Sequence, residues 1–518
     1  MKTNKHVAKA CPPITNADAD EDEWRKMSFT SKAAHMARNV TVEPMLGVFQ
    51  LSMIMSSLTT QNLNMQKACR VNLSLGQTVC YALENKNATS YRNEELAVQQ
   101  LVTKMMLWQS PFQNIVPCVL VMFVGSWSDR NQKRKPFMLL PIIGELVRNV
   151  GLVICVYFFH ELPMEVAGIV ESVPSAITGG LPILILAVFA YVGDISTVKS
   201  RTVRVGFVSL IFSISITVGS ALSGILFRDY GFYGVYFIST GMYLFSFMYC
   251  IIVIKDIKPA VVEKYHEPNI VVGHCKKSAL LAITDFFDLK HVKEALRVTF
   301  KRGNDDKRRT DIILLFVIMV IILGPLSGEQ TLMYLLVRVK FSWNEVDFSV
   351  FSTYYFICNL VGIAFTLWIL VKRFGIDDRL LGAIGCLSKG LASFVYAYAP
   401  TEFLFYLGPI VDIFHGTALV AFRSILSKLV PANQLGQALA VSSLVETIVP
   451  AIFRPLYNVI YYKTLHFLPG AFYILGGILN VSGIFVFLWM YKKHKQNEKW
   501  EDFEEKQALS GEPDSQHP

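Results

Sequence analysis

Residues 115–142 read IVPCVLVMFVGSWSDRNQKRKPFMLLPI. An apolar run ends near Gly125 and gives way to Asp129, Arg130, Lys133, Arg134 and Lys135, after which Pro136 opens a second apolar run. Two stretches of about 20 apolar residues joined by a short basic segment are what two membrane crossings with a cytosolic loop require.

Further runs of that length extend the pattern in both directions. They occur at 44–62, 104–125, 137–159, 176–194, 205–227 and 232–254, then at 311–336, 347–371, 380–399, 402–422, 437–460 and 469–491. The positive-inside rule tests this count, because one miscounted span would scramble the basic residues of every later loop. Lys199, Arg201 and Arg204, then Lys372, Arg373 and Arg379, and finally Lys492, Lys493 and Lys495 fall on the side of the 130–135 cluster, whereas 160–175 and 399–401 hold no Lys or Arg. The expected chain is therefore an all-α polytopic membrane protein. A tail at 1–43, a six-helix bundle at 44–254, a basic linker at 255–310, a second bundle at 311–491 and a tail at 492–518 follow in order, both tails cytosolic.

Composition agrees. Of the 518 residues, 53% are hydrophobic and 17% charged, more apolar surface than a soluble core of this size needs. The net charge of +9 lies mainly in the inter-span segments, which reads as topology and not as a nucleic-acid surface. The nine cysteines show no CxxC pair or metal-ligand spacing, and no nucleotide-binding loop, zinc motif or nucleophile elbow occurs, so neither an enzyme nor a cofactor or metal site is expected. The first 40 residues lack the apolar core of a cleaved signal peptide. In the linker, Leu280, Leu281, Phe286, Phe287, Leu289 and Leu296 could form an amphipathic helix on the inner leaflet, or the segment could be solvated throughout.

The segment 65–103 reads as a long outer loop with two glycosylation sequons, at Asn72 and Asn87. Cys69 and Cys80 share it, and in an oxidising compartment they could pair or remain free thiols.

Charges placed inside spans cost a few kcal/mol and point to a cavity or a partner. Asp194 ends span four, and Glu145 and Arg148, three apart on span three, could neutralise each other. The second half holds more: Glu329 on span seven, Lys389 on span nine, Asp412, His415 and Arg423 on span ten, Glu446 and Arg454 on span eleven. Glu329, Glu446 or Asp412 could take up a proton from a membrane gradient, and His415 could relay one.

The segment at 125–135 resembles the loop signature of the major facilitator superfamily. Gly125 would permit close helix approach, and Asp129, Arg130 and Arg134 would form a charge-assisted conformational latch. A degenerate counterpart, Lys372 to Arg379, stands at the matching place in the second half. Val42-Glu43-Pro44, Leu58-Thr59-Thr60-Gln61, the 125–129 segment, Asp194 before Ser200-Arg201-Thr202, and Arg423 before Ser427-Lys428-Leu429-Val430 together resemble the proton-coupled folate transporter family, from about residue 42 to 490. The resemblance implies the twelve-helix major facilitator fold and proton-coupled symport of an organic anion such as a folate, a muropeptide or a cyclic dinucleotide. It ties Asp194 and Arg423 to transport. Where the family's folate carrier has a glutamate on span five and a histidine on span seven, this chain has Ser209 and Gly324, and Glu329 stands nearby as a substitute.

The expected coupling agent is a proton gradient and the expected partners are a small organic anion and the bilayer. No acidic dileucine signal precedes Leu280-Leu281, which favours the plasma membrane over endosome or lysosome. A ligand-sensing receptor of the same fold and a lysosomal exporter are the alternatives.

Overall fold

The computed structural model describes residues 41–84, 91–131, 133–195, 198–255, 306–371, 373–430 and 435–510, and every regular element among them is a helix. In the first half, α1 (Glu43–Lys67) starts on Pro44, whose fixed φ suits a first turn, and ends in a π turn at Ala68–Asn72. There follow α2 (Gln77–Glu84), α3 (Arg92–Asn131), α4 (Lys135–Tyr157), α5 (Met164–Ile177), α6 (Gly180–Ile195) and α7 (Val198–Val253). The second half holds α8 (Asp306–Phe341), α9 (Glu345–Phe365), α10 (Asp378–Tyr398), α11 (Glu402–Val411), α12 (His415–Leu429), α13 (Leu435–Thr464) and α14 (Ala471–Ser510). Its helices open on proper caps: Asn344 and Asp347 form a reciprocal capping box, and Thr401 accepts from the Leu404 amide.

Nine of these helical segments are long and apolar enough to span a bilayer. One of them, 206–253, crosses twice: at 1.5 Å per residue its 48 residues would reach about 72 Å, more than twice a hydrocarbon core. It reverses at Gly231, whose φ of 62° is open to glycine. Helices α1 and α13 cross as well; their buried polar residues lower their mean hydropathy without removing them from the bundle. The described residues thus make twelve crossings, with α5 and α6 sharing one and α11 and α12 another.

The two halves touch along α3 with α13 and along the first arm of α7 with α9. Their packing differs at the two ends. At the end bearing Cys69 and Cys80, one continuous apolar core draws Leu58, Met65, Val102 and Met105 from the first half together with Leu332, Leu336, Phe405, Tyr457 and Phe472 from the second. At the basic end each half has its own core, one around Leu46, Met138 and Leu184, the other around Ile318, Phe422 and Phe487. The molecule is sealed at the disulfide end, and its halves part toward the basic end.

Three boundaries differ from the sequence reading. The supposed loop at 65–103 is largely helix, because Glu95, Gln99 and Thr103 recur every fourth residue and are buried against the other half. Span four begins at Met164, since Glu171, which reads as a loop residue, is hydrogen-bonded by Asn64 and Gln109. Helix α14 runs on to Ser510 through Lys-, Glu- and Gln-rich sequence that propagates a helix well. The tail at 1–40, the Asn87 sequon and the linker helix at 280–296 lie outside the described residues.

Candidate functional site

The densest buried charge cluster joins spans seven, nine and ten. Lys389 on α10 is fully inside, with its Nζ 2.8 Å from Glu329 Oε2 on α8 and 3.2 Å from Asp412 Oδ2 in the break between α11 and α12. His415, one turn on, accepts at Nε2 from the Asn359 side-chain amide at 2.8 Å and stacks on Tyr355 at 5.7 Å between ring centres. Its Nδ1 lies 2.9 Å from the Asp412 carbonyl and 3.4 Å from Asp412 Oδ1.

Local sequence explains this placement. Span ten breaks at Asp412, so the helix residues that follow aim His415 and the carboxylate at the same point. Discontinuous helices at mid-membrane are a recurrent way to build transporter sites. Glycine at 476 is what lets Glu329 lie flat against α14, since a Cβ there would overlap Glu329 Oε1. Among the described residues, the buried hydroxyls of Tyr396, Tyr457 and Tyr473 have no hydrogen-bond partner, nor does Glu329 Oε1. Two carboxylates thus share one ammonium in a dry setting, a charge balance that closes only if the cluster takes one further proton.

The other expected residues fall in pairs nearer the basic end. Arg423 Nη2 meets Glu446 Oε1 at 3.1 Å, with Arg423 half exposed. Arg134 Nε meets Asp194 Oδ2 at 2.9 Å, and its Nη1 donates to Ser128 Oγ at 2.7 Å, so a latch residue and a residue assigned to the pathway meet in one contact. Asp129 and Arg130 end α3, and their side chains lie outside the described residues. Gly125 does not mark a close approach: an added Cβ would meet only Leu186, at an ordinary 3.8 Å. Gly324, on α8, packs directly against the Phe453 ring of α13. In the first half Arg148 bonds Glu145, which also accepts from Ser175 Oγ at 2.7 Å.

Cys69 and Cys80 are joined in a disulfide with Cα atoms 6.0 Å apart. Asn72 is held by Glu165: its Nδ2, the atom a glycan would take, donates at 2.8 Å, and its Oδ1 caps the Met164 amide at 3.0 Å.

Sequence reading missed the seal. Arg338 Nε pairs with Glu95 Oε1 at 3.1 Å across the halves, its Nη2 donates to the Leu83 carbonyl at 3.0 Å, and Tyr461 OH donates to Gln99 Oε1 at 2.7 Å. Glu95 and Gln99 sit four apart in a stretch that looked like loop, and that i, i+4 spacing was the available signal.

Two six-helix halves that share a core at one end and hold separate cores at the other, around a buried charge cluster, are the architecture of a membrane transporter. The family model of the Major Facilitator Superfamily matches residues 106–453, and the chain belongs to that superfamily, whose members are transporters and not enzymes. Its curated relatives bear out the narrower resemblance read from the motifs. A probable peptidoglycan muropeptide transporter of the SLC46 family from Drosophila melanogaster is 21% identical over 464 residues, 88% of this chain and 86% of that one. A lysosomal proton-coupled steroid conjugate and bile acid symporter from Gallus gallus is 24% identical, over 78% and 83%. The proton-coupled folate transporter of Rattus norvegicus is 22% identical, over 86% and 91%. Among solved structures, the peptide transporter PepTSo and a D-xylose–proton symporter share the fold at a TM-score of 0.56. They are 12% and 14% identical and cover 88% and 87% of this chain, and 98% and 96% of their own.

Proposed function

We propose that this protein is a proton-coupled symporter that carries an organic anion toward the cytosol. The observation that carries the reading is the Glu329–Lys389–Asp412 cluster, in which one ammonium faces two buried carboxylates. A proton entering there from the disulfide end neutralises the odd carboxylate, and His415, with Nδ1 3.4 Å from Asp412 Oδ1, offers it a way on toward the Tyr355 hydroxyl. The cluster ties spans seven, nine and ten, so its charge state bears on how these helices pack. With the basic end cytosolic, the conformation is inward-facing: closed outside by Arg338, Glu95 and the shared apolar core, parted inside between the two separate cores.

Relatives named as proton-coupled carriers of folate, steroid conjugates and bile acids support an anionic cargo and protons as the coupling ion, with no other cofactor. Our first expectation for location is the plasma membrane. The lysosomal relatives favour a second, export from an acidic lumen, and the direction relative to the cytosol is the same in both. Purified protein in liposomes with an acidic exterior should accumulate a labelled folate, muropeptide, cyclic dinucleotide or steroid conjugate, and a protonophore should abolish the accumulation. Saturable binding without accumulation would replace this reading with a ligand-sensing receptor; neither binding nor accumulation would remove it.

A further inference from the structure

Arg454 stands apart from Arg148, Arg338 and Lys389, which are ion-paired, and from Lys67 at the end of α1, whose ammonium donates to the Phe159 and Leu162 carbonyls. Arg454 lies on α13 ten residues before the helix end at Thr464, about 15 Å by helical rise, which puts it well inside the membrane. The ion pairs among the described residues give Arg454 no carboxylate, and Glu446, two turns away on the same helix, is engaged by Arg423. Its Nη1 donates to Asn114 Oδ1 at 3.3 Å, and its Nε, buried, has no acceptor among the described residues.

The setting is where the halves meet. Asn114 belongs to α3 of the first half, and one turn further along α13 Asn458 donates to Ser110 Oγ of α3 at 3.0 Å. Phe453 and Tyr457, the neighbours of Arg454 on α13, pack into the shared core that closes the disulfide end, so the guanidinium lies beneath that seal and above the parted region. Pro450 and Pro455 flank it and withhold two hydrogen bonds from the helix, loosening the backbone at that level.

A guanidinium in such a place without a counter-charge is costly, and the cost is recovered when an anion arrives. We propose that Arg454, with Asn114 across the interface, is the anchor for the acidic group of the cargo, a carboxylate, sulfonate or phosphate. This inference rests on the transport reading above and assigns the substrate's charge to one residue. An anion held there touches both halves at once, so its binding and their rocking are coupled. Arg423, which the family resemblance singles out, is by contrast already occupied by Glu446.

Liposome uptake of labelled taurocholate and folate under an inward proton gradient tests it, using protein checked for monodispersity by gel filtration. Arg454→Ala is expected to raise the KM at least about tenfold with a much smaller change in kcat, and Arg454→Lys, which keeps charge but not the planar fork, about threefold. The exchanged pair Asn114→Arg/Arg454→Asn should recover most of the lost affinity, which a purely structural arginine would not. A wild-type KM in Arg454→Ala overturns the anchor while leaving transport intact. Should the wild-type protein accumulate neither these two anions nor the muropeptide and cyclic dinucleotide, the transport reading fails by itself, and thermal shift of the purified protein by the same four anions then decides. A shift in wild type that is lost in Arg454→Ala upholds the anchor; equal shifts, or none, overturn it.

Discussion

The third span of each half buries a basic residue, and the two are treated differently. In α4, Arg148 finds its carboxylate on its own helix: Glu145 is one turn back, and Ser175 takes the spare oxygen. In α10, Lys389 has no acid within two turns on its own helix and draws Glu329 from α8 and Asp412 from the break between α11 and α12. The first arrangement is neutral and local, so it persists whatever the neighbouring spans do. The second holds one carboxylate too many and spans three crossings, so its balance depends both on a proton and on how those crossings pack. Internal repetition supplied two similar frames, and only one of them carries the charge asymmetry on which the proposed coupling rests.

The largest expected effect is at Lys389. Lys389→Met leaves two carboxylates in a dry core without a cation, a defect of about 3–5 kcal/mol. The melting midpoint of the purified protein should fall by several degrees and proton-driven uptake should vanish. A variant that melts like wild type would mean that the cluster is wetter than its burial implies.

Glu329→Gln comes next. It removes the odd charge without removing volume, so the protein should fold and exchange labelled for unlabelled solute across the membrane. Uphill accumulation should drop by at least about tenfold, and its dependence on external acidity should flatten. If exchange and accumulation fall together, Glu329 is a packing residue and the contrast between the halves is lost. Smaller again is His415→Gln, whose amide can still bond Asn359: accumulation should persist at a rate lower by a few fold, because the route is slowed while the proton's resting place is kept.

How much of this the sequence disclosed follows from what each signal depends on. Spans and sidedness were legible because hydropathy and loop charge are local properties that any span must show, as the 115–142 stretch does. Glu329, Asp412 and His415 were legible as costly charges, yet not as one cluster, since their meeting depends on how α8, α10 and the broken tenth span pack. Arg423 with Glu446, and Arg134 with Asp194, were named separately for the same reason. The seal at Glu95, Gln99 and Arg338 was hidden more deeply: a polar stripe that faces another helix looks like loop until its partner is known. Arg454 was visible as a charge on span eleven, but its lack of a carboxylate partner among the described residues is a property of the fold alone.

The smallest expected effect is the sharpest test of the comparison, because it predicts almost nothing. Replacing a buried ion pair by uncharged groups of similar size is often neutral or even stabilising, whereas removing one partner strands the other. Glu145→Gln keeps an acceptor for Ser175 Oγ, and Arg148→Met fills most of the space the guanidinium occupied. The double variant should therefore melt within about 1 kcal/mol of wild type in stability and take up solute with an unchanged response to acid, while Arg148→Met alone loses about 3–5 kcal/mol. Recovery in the double variant means that the first-half pair only closes its own charge account. Should the double variant lose its response to acid, the first half also takes part in coupling, and Glu145, with Tyr243 beside it at 3.5 Å, becomes a second proton site in place of a strut.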